Sequence, residues 1–197
     1  MTAFVLLAAA MLALALLSGC ETTRKIKDDI KNEATKRTIE CARLHSAKEL
    51  KDAYDQRAGD ADEALLLFFN ALLLIEEKQS EGIAAGAYMS RANDQWTDAS
   101  SPTGVKPSQM ASEGFKRMKD NPHYARSYSG GEPTDYKPAN AEKVVLEIKE
   151  TRKNSDTEVK FFVWSSGKDS SSPVTMRLAG GKWSVEEWSS LQTGARK

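Results

Sequence analysis

The chain has 197 residues, of which 28 are Lys or Arg and 28 are Asp or Glu, so its formal net charge at pH 7 is zero. This balance argues against nucleic acid as a partner, because binding to phosphate groups needs a basic surface.

The first residues have the pattern of an export signal. Residues 3–17 are an unbroken apolar run, which is shorter than the roughly 20 residues of a membrane-spanning helix. Two small residues follow, as at a peptidase site. The order Leu17-Ser18-Gly19-Cys20 resembles the lipobox of bacterial lipoproteins. This resemblance implies cleavage before Cys20 and acylation of that cysteine, so that the chain is anchored to a membrane.

Two observations refine this hypothesis. No Lys or Arg precedes the apolar run, unlike most export signals, so the true start codon could lie upstream. Glu21, rather than aspartate, follows the cysteine, and by the enteric-type sorting rules this favours the outer membrane, with the protein facing the periplasm. The alternative is that residues 3–17 form a buried helix of a cytosolic domain, which the absence of any cap at the terminus disfavours.

The sequence predicts three segments: a signal peptide at residues 1–19, the lipidated Cys20 with a charged helical spacer at residues 20–57, and a domain at residues 58–197. Residues 24–57 contain no Gly or Pro and mix both charge signs, which indicates one or two exposed helices.

The sequence pattern of residues 60–121 predicts three further helices. Asp60 and Glu63 resemble a capping box, and the apolar stretch that follows them up to Ile75 is interrupted only by Asn70, which is typical of a buried helix. A second helix is expected within residues 80–92 and a loop at residues 100–107. A third helix should begin near Ser108 and end at Asn121-Pro122.

From Lys143 onward the apolar period changes from helical to alternating. Three runs of alternating residues, separated by turns at residues 154–156 and 167–172, predict strands. Gly180-Gly181 predicts a tight hairpin, and a last strand with Trp183 and Val185 on its inward face follows. Strands joined by such short turns must be antiparallel, so the predicted fold class is α+β, with N-terminal helices packed on a C-terminal curved antiparallel sheet.

The order of helices and sheet, together with Gly181-Lys182-Trp183 and Val185 in the last hairpin, resembles the nuclear-transport-factor-like (ketosteroid-isomerase-like) cone fold. The resemblance covers roughly residues 60–190. It implies a cavity between helices and sheet, which enzymes of this fold line with Asp, Tyr or His for proton transfer.

The segment 120–138 is the most site-like part of the sequence. It supplies His123, Tyr124 and Asp135 as candidate acid–base groups, because loops carry function and these side chains can exchange protons. Tyr128 and Tyr136 from the same segment, with Asn70, are candidate ligand-binding residues. The alternative is that the tyrosines pack against the rim of the sheet and that Asn70 bonds to a neighbouring backbone group.

Two other patterns are weaker indications of a functional site. Cys41 and His45 are four residues apart, on one face of the predicted helix, but a metal site needs further ligands, and we predict neither a metal nor a cofactor. Phe162 and Trp164 share one strand face, where they either cover the sheet against residues 24–57 or form a binding surface.

Three functions are compatible with the sequence. The leading hypothesis is a non-catalytic, lipid-anchored envelope protein that binds a small molecule or another envelope protein. The second is a small cone-fold enzyme of the isomerase, dehydratase or hydrolase type that uses the 120–138 loop, and the third is a structural tether in which residues 24–57 pair between chains.

Overall fold

A computed structural model describes residues 35–138 and 140–196 of the chain. Lys36–Lys197 form one compact unit. Its helices are α1 (Ala47–Arg57), α2 (Ala61–Glu77), α3 (Gln79–Met89), α4 (Gln109–Asp120) and α5 (His123–Arg126). Its strands are β1 (Arg37–Ala42), β2 (Gln95–Thr97), β3 (Val105–Pro107), β4 (Lys143–Ser155), β5 (Glu158–Val163), β6 (Ser172–Ala179) and β7 (Lys182–Glu187). Single 3-10 turns lie at Ala92–Asp94 and Ser189–Gln192.

The main sheet has five antiparallel strands in the order β1-β4-β5-β6-β7. Strands β4 to β7 form the predicted meander, and Gly180 and Gly181 take the positive φ angles of 58° and 79° that a tight hairpin turn requires. Register shifts leave extra residues in β4, where it pairs with β5, and in β7, where it pairs with β6, and these bulges bend the two strands. The sheet curls into a half-barrel. The predicted α+β cone-like fold class is therefore confirmed.

Helix α2 is the centre of the core. Its cap is Asp60, whose side chain accepts hydrogen bonds from the backbone N–H groups of Asp62 and Glu63 at 2.8 and 3.1 Å. Every residue from Ala64 to Ile75 is buried. A helix that is apolar on all sides needs cover on all sides, and here the sheet, α1, α3, α4 and α5 supply it.

The prediction of helix throughout residues 24–57 is wrong over β1, while residues 24–34 lie outside the described part of the chain. Arg37–Ala42 is an edge strand that pairs with β4, and its alternate residues Ile39 and Cys41 pack against the core. Pairing with β4 outweighs the weak helical preference of this charged segment. The compact unit therefore includes β1 and α1, which the sequence analysis assigned to a spacer.

Helices α3 and α4 agree with the prediction, and Ser108 caps α4 by accepting a hydrogen bond from the N–H of Ala111 at 3.3 Å. The stretch predicted as a loop is partly extended, since β3 pairs with β2 in a small separate hairpin.

Phe162 in β5 and Trp164, which directly follows this strand, are half-buried and alternate with the core residues Phe161 and Val163. Cations from β4 cover them: the Arg152 guanidinium is 4.5 Å from the centroid of the Phe162 ring and the Lys149 ammonium is 4.8 Å from that of Trp164.

Candidate functional site

Asn70 is fully buried in α2 and fastens the end of β1 to this helix. Its amide nitrogen donates to the carbonyl oxygen of Ala42 at 2.9 Å, and its side-chain oxygen accepts from the N–H of Leu44 at 3.2 Å and from Nη1 of Arg43 at 2.9 Å. The same Nη1 also donates to the backbone carbonyl of Asn70 at 2.9 Å. Asn70, predicted as a ligand-binding residue, thus positions an arginine.

The Arg43 side chain is only 6 % exposed, and its second nitrogen, Nη2, donates to Oε1 of Glu77 at 3.1 Å. Burial raises the pKa of Glu77, but the hydrogen bond and the charge of Arg43 outweigh this effect and hold that pKa below its usual value. A buried guanidinium and a carboxylate therefore stand as a charged pair at the end of α2.

Two residues of the segment 120–138, Arg126 and Ser129, line the same pocket as Arg43 and Glu77. Arg126, the last residue of α5, has its Nε 3.4 Å from Oε2 of Glu76, and this contact is an ion pair without hydrogen-bond geometry. Ser129 is 4 % exposed, and its hydroxyl oxygen has no hydrogen-bond partner in the part of the chain that the structure describes. Buried polar groups without partners are rare in folded proteins and each calls for an explanation.

These side chains line a small cavity, here named the charged pocket, with a volume of about 130 Å³. Three basic and two acidic residues stand around it, and apolar side chains complete the wall. The lining consists of Arg43, Leu73, Glu76, Glu77, Arg126, Ser129, Pro138, Ala141 and Lys143. Charges of both signs and a free hydroxyl together can hold a small polar solute.

The two predicted tyrosines are structural. Tyr128 is 2 % exposed, its hydroxyl is 2.7 Å from Oγ of Ser172, and its ring packs edge-on against Phe69 at 5.4 Å. Burial raises the pKa of Tyr128. Tyr136 is also buried, takes a φ of +52° and donates its hydroxyl proton to the carbonyl oxygen of Arg196.

The candidate acid–base groups are spread over the same segment. The half-buried His123 ring packs edge-on against the Tyr124 ring, with 4.6 Å between the centroids, and lies tilted 6.0 Å from the ring of the buried Tyr136. Asp135 is exposed and accepts a hydrogen bond from the N–H of Lys137 at 2.8 Å, which makes it a turn residue.

Sequence reasoning missed a buried cluster next to Tyr128. The Lys168 ammonium donates to Oγ of Ser172 at 3.0 Å and to the carbonyl of Ser190, and burial lowers the pKa of Lys168 to about 8. A lysine beside a serine hydroxyl can act as its base. Here, however, Ser172 is only 2 % exposed, so a substrate could not reach its hydroxyl. The cluster therefore serves to pack the loop against the sheet.

Cys41 and His45 do not share a helix face, because Cys41 lies in β1. Cys41 is a half-buried free thiol whose pKa burial raises, and Nδ1 of His45 is 3.5 Å from Oε2 of Glu77. Among the described residues, no group of three or more His, Cys, Asp or Glu side chains is arranged to hold a metal ion.

Within residues 35–138 and 140–196, no helix combines the length and the apolarity needed to cross a membrane. The predicted lipidation site, Cys20, lies outside this described part of the chain.

Comparison with known proteins identifies the family of this chain but gives no information about its function. No curated protein and no solved structure matches the chain. One family model matches residues 45–197, which include α1 to α5 and all strands except β1. Because this match covers well over half of the chain, the protein belongs to the family described as Domain of unknown function (DUF6935).

Proposed function

We propose that this protein is a lipid-anchored, non-catalytic envelope protein that binds a small zwitterionic solute, of the amino-acid type, in the charged pocket. The observation that carries the proposal is the buried hydroxyl of Ser129, which lines this pocket without a hydrogen-bond partner among the described residues. The anchor rests on the order Leu17-Ser18-Gly19-Cys20 and on Glu21, which favour the outer membrane and its periplasmic side.

The chemistry of the lining favours a zwitterion. Arg126 has a buried Nε without a hydrogen bond, and it lines the same pocket as Ser129 with its free hydroxyl. Guanidinium groups bind carboxylates well because their N–H donors match the geometry of the two oxygens. Glu76 and Glu77, with side chains 40 % and 47 % exposed, stand on the same pocket and can accept hydrogen bonds from an ammonium group.

The size of the pocket limits the ligand. A water molecule takes up roughly 30 Å³ in the liquid, so about 130 Å³ corresponds to about four waters, or to one solute of the size of alanine. Leu73, Pro138 and Ala141 offer an apolar wall for a short aliphatic side chain. Free amino acids with small side chains, such as alanine, fit both the charge and the volume.

Calorimetric titration of the purified full chain tests the pocket with three matched solutes: alanine, propionate, which lacks the amine, and ethylamine, which lacks the carboxylate. We expect alanine to bind and the two fragments to bind at least about tenfold more weakly, because each loses one charge-assisted contact. Arg126→Gln should weaken alanine binding by a similar factor, while Arg117→Gln, on an exposed position of α4 away from this pocket, should not.

Equal binding of propionate and alanine, or no binding of any of the three at millimolar concentration, would contradict the proposal. The anchor is tested separately, by intact-mass analysis of the protein from its native host. The expected product begins at Cys20 and carries acyl chains, whereas an unmodified N-terminus in the soluble fraction would exclude anchoring.

A further inference from the structure

Two large apolar side chains of the described residues stand out by their exposure. Trp96 in β2 is 51 % exposed and Met110 at the start of α4 is 79 % exposed. They line one open groove of about 720 Å³, together with Arg91, Asn93, Asp94, Ser108, Gln109 and Glu113. This groove, here named the Trp96 groove, shares no lining residue with the charged pocket.

Side-chain bonds to the neighbouring helix hold the hairpin that carries Trp96. Nε2 of Gln95 donates to the carbonyl oxygens of Tyr88, at 3.2 Å, and Ser90. The hydroxyl of Thr103 donates to the carbonyl of Ala84 at 3.2 Å. An exposed tryptophan on a fixed support is pre-organised for binding, because little conformational entropy remains to be lost when a partner arrives.

The composition of the groove is that of a protein-binding surface. Tryptophan is enriched among residues that dominate binding energies at interfaces, and methionine adapts its shape to apolar partners. Neither side chain is needed for the core, since both face outward.

The charges of the groove select among partners. Arg91 is neutralised, because its guanidinium is 2.9 Å from Asp94 and 3.2 Å from Glu186. Glu113 is exposed and has no ion pair among the described residues. The lining therefore carries an excess of negative charge next to its two apolar side chains.

We propose that the Trp96 groove binds a segment of a partner protein that presents an aliphatic or aromatic side chain next to a Lys or Arg. The apolar side chain packs between Trp96 and Met110, and the basic group approaches Glu113 and the face of the indole ring, which attracts cations. The acidic lining disfavours an anionic membrane surface as the occupant.

The test is an array of synthetic octapeptides with a central Leu or Phe and a neighbouring Lys, Gln or Glu, probed with the purified full chain. We expect peptides with Lys to bind best. Trp96→Ala and Met110→Ala should each reduce this binding at least about tenfold, and the charge reversal Glu113→Lys should shift the preference to peptides with Glu. Trp164→Ala, which removes an aromatic side chain outside the groove, is the matched control and should bind as the wild type does.

Three results would overturn the proposal: a preference of the wild type for peptides with Glu, equal binding by Trp96→Ala and wild type, or no binding to any peptide of the array. Binding to phosphatidylglycerol vesicles that is lost in Trp96→Ala would instead make the groove a membrane-contact face and refute it as well. Because the two sites share no residue, failure here leaves the amino-acid titration unaffected.

Discussion

Ser129 and Ser127 offer a matched pair of substitutions that should act on stability in opposite directions. Both serines are at least 95 % buried and they are two residues apart. The Ser127 hydroxyl donates to the carbonyl of Tyr124 at 2.8 Å and accepts from the hydroxyl of Ser165 at 2.8 Å, whereas that of Ser129 has no partner among the described residues. We therefore expect Ser129→Ala to stabilise the ligand-free protein and Ser127→Ala to destabilise it.

The magnitudes follow from the hydrogen bonds. A buried hydroxyl without a partner costs about 1–3 kcal/mol, and the void left by one oxygen atom costs roughly 0.5 kcal/mol. Ser129→Ala should thus raise the free energy of unfolding by about 1 kcal/mol. Ser127→Ala leaves a carbonyl and a second hydroxyl without this partner and should lower the same free energy by about 1–3 kcal/mol.

Urea denaturation of the full chain measures both changes, provided that the dependence on urea concentration is the same in all variants. The reasoning also requires Ser129→Ala to lose affinity for alanine while it gains stability, because the hydroxyl serves the ligand and not the fold. A fall in stability for Ser129→Ala as large as that for Ser127→Ala would refute the assignment of Ser129 to a binding site.

Three further predictions concern the fold. Asn70→Ala should lower the free energy of unfolding by about 3 kcal/mol or more, because two backbone groups of β1 and its turn lose their partner; denaturation should show almost no effect of the exposed control Asn93→Ala. Burial raises the pKa of Asp55, but hydrogen bonds from Lys182, Lys51 and Tyr88 outweigh it and lower that pKa to about 2. The ionised Asp55 therefore contributes to the free energy of unfolding above pH 4, and this contribution is lost as the pH falls through 2. Denaturation at a series of pH values should show a loss of about 2 kcal/mol in the wild type, and this pH-dependent loss should be absent in Asp55→Asn. Gly82→Ala should destabilise by at least about 1–3 kcal/mol, because its Cβ would lie 2.4 Å from a backbone nitrogen of α2; a melting temperature equal to that of the wild type would contradict this packing.

The charged pocket shows why several of its residues could not be predicted from the sequence. Segment 120–138 reaches the charged pocket through Arg126, Ser129 and Pro138, whereas its histidine, tyrosines and aspartate do not line this pocket. Arg43, Glu76 and Glu77 gave no signal, because a charged residue at the end of a helix or strand is ordinarily solvent-exposed. Only the docking of β1 against α2 brings Arg43 beside Glu77.

By itself, the sequence determined the elements with a strong local signal. The alternating period after Lys143 and the pair Gly180-Gly181 predicted an antiparallel meander, and the apolar run after Asp60 predicted a helix covered on all sides. Hydrophobic period and capping act between residues close in the chain, so they can be read without the fold. The tertiary structure alone decided that Arg37–Ala42 is a strand and that Arg43 is buried beside Glu77, because pairing with β4 and burial depend on residues that lie far away in the chain.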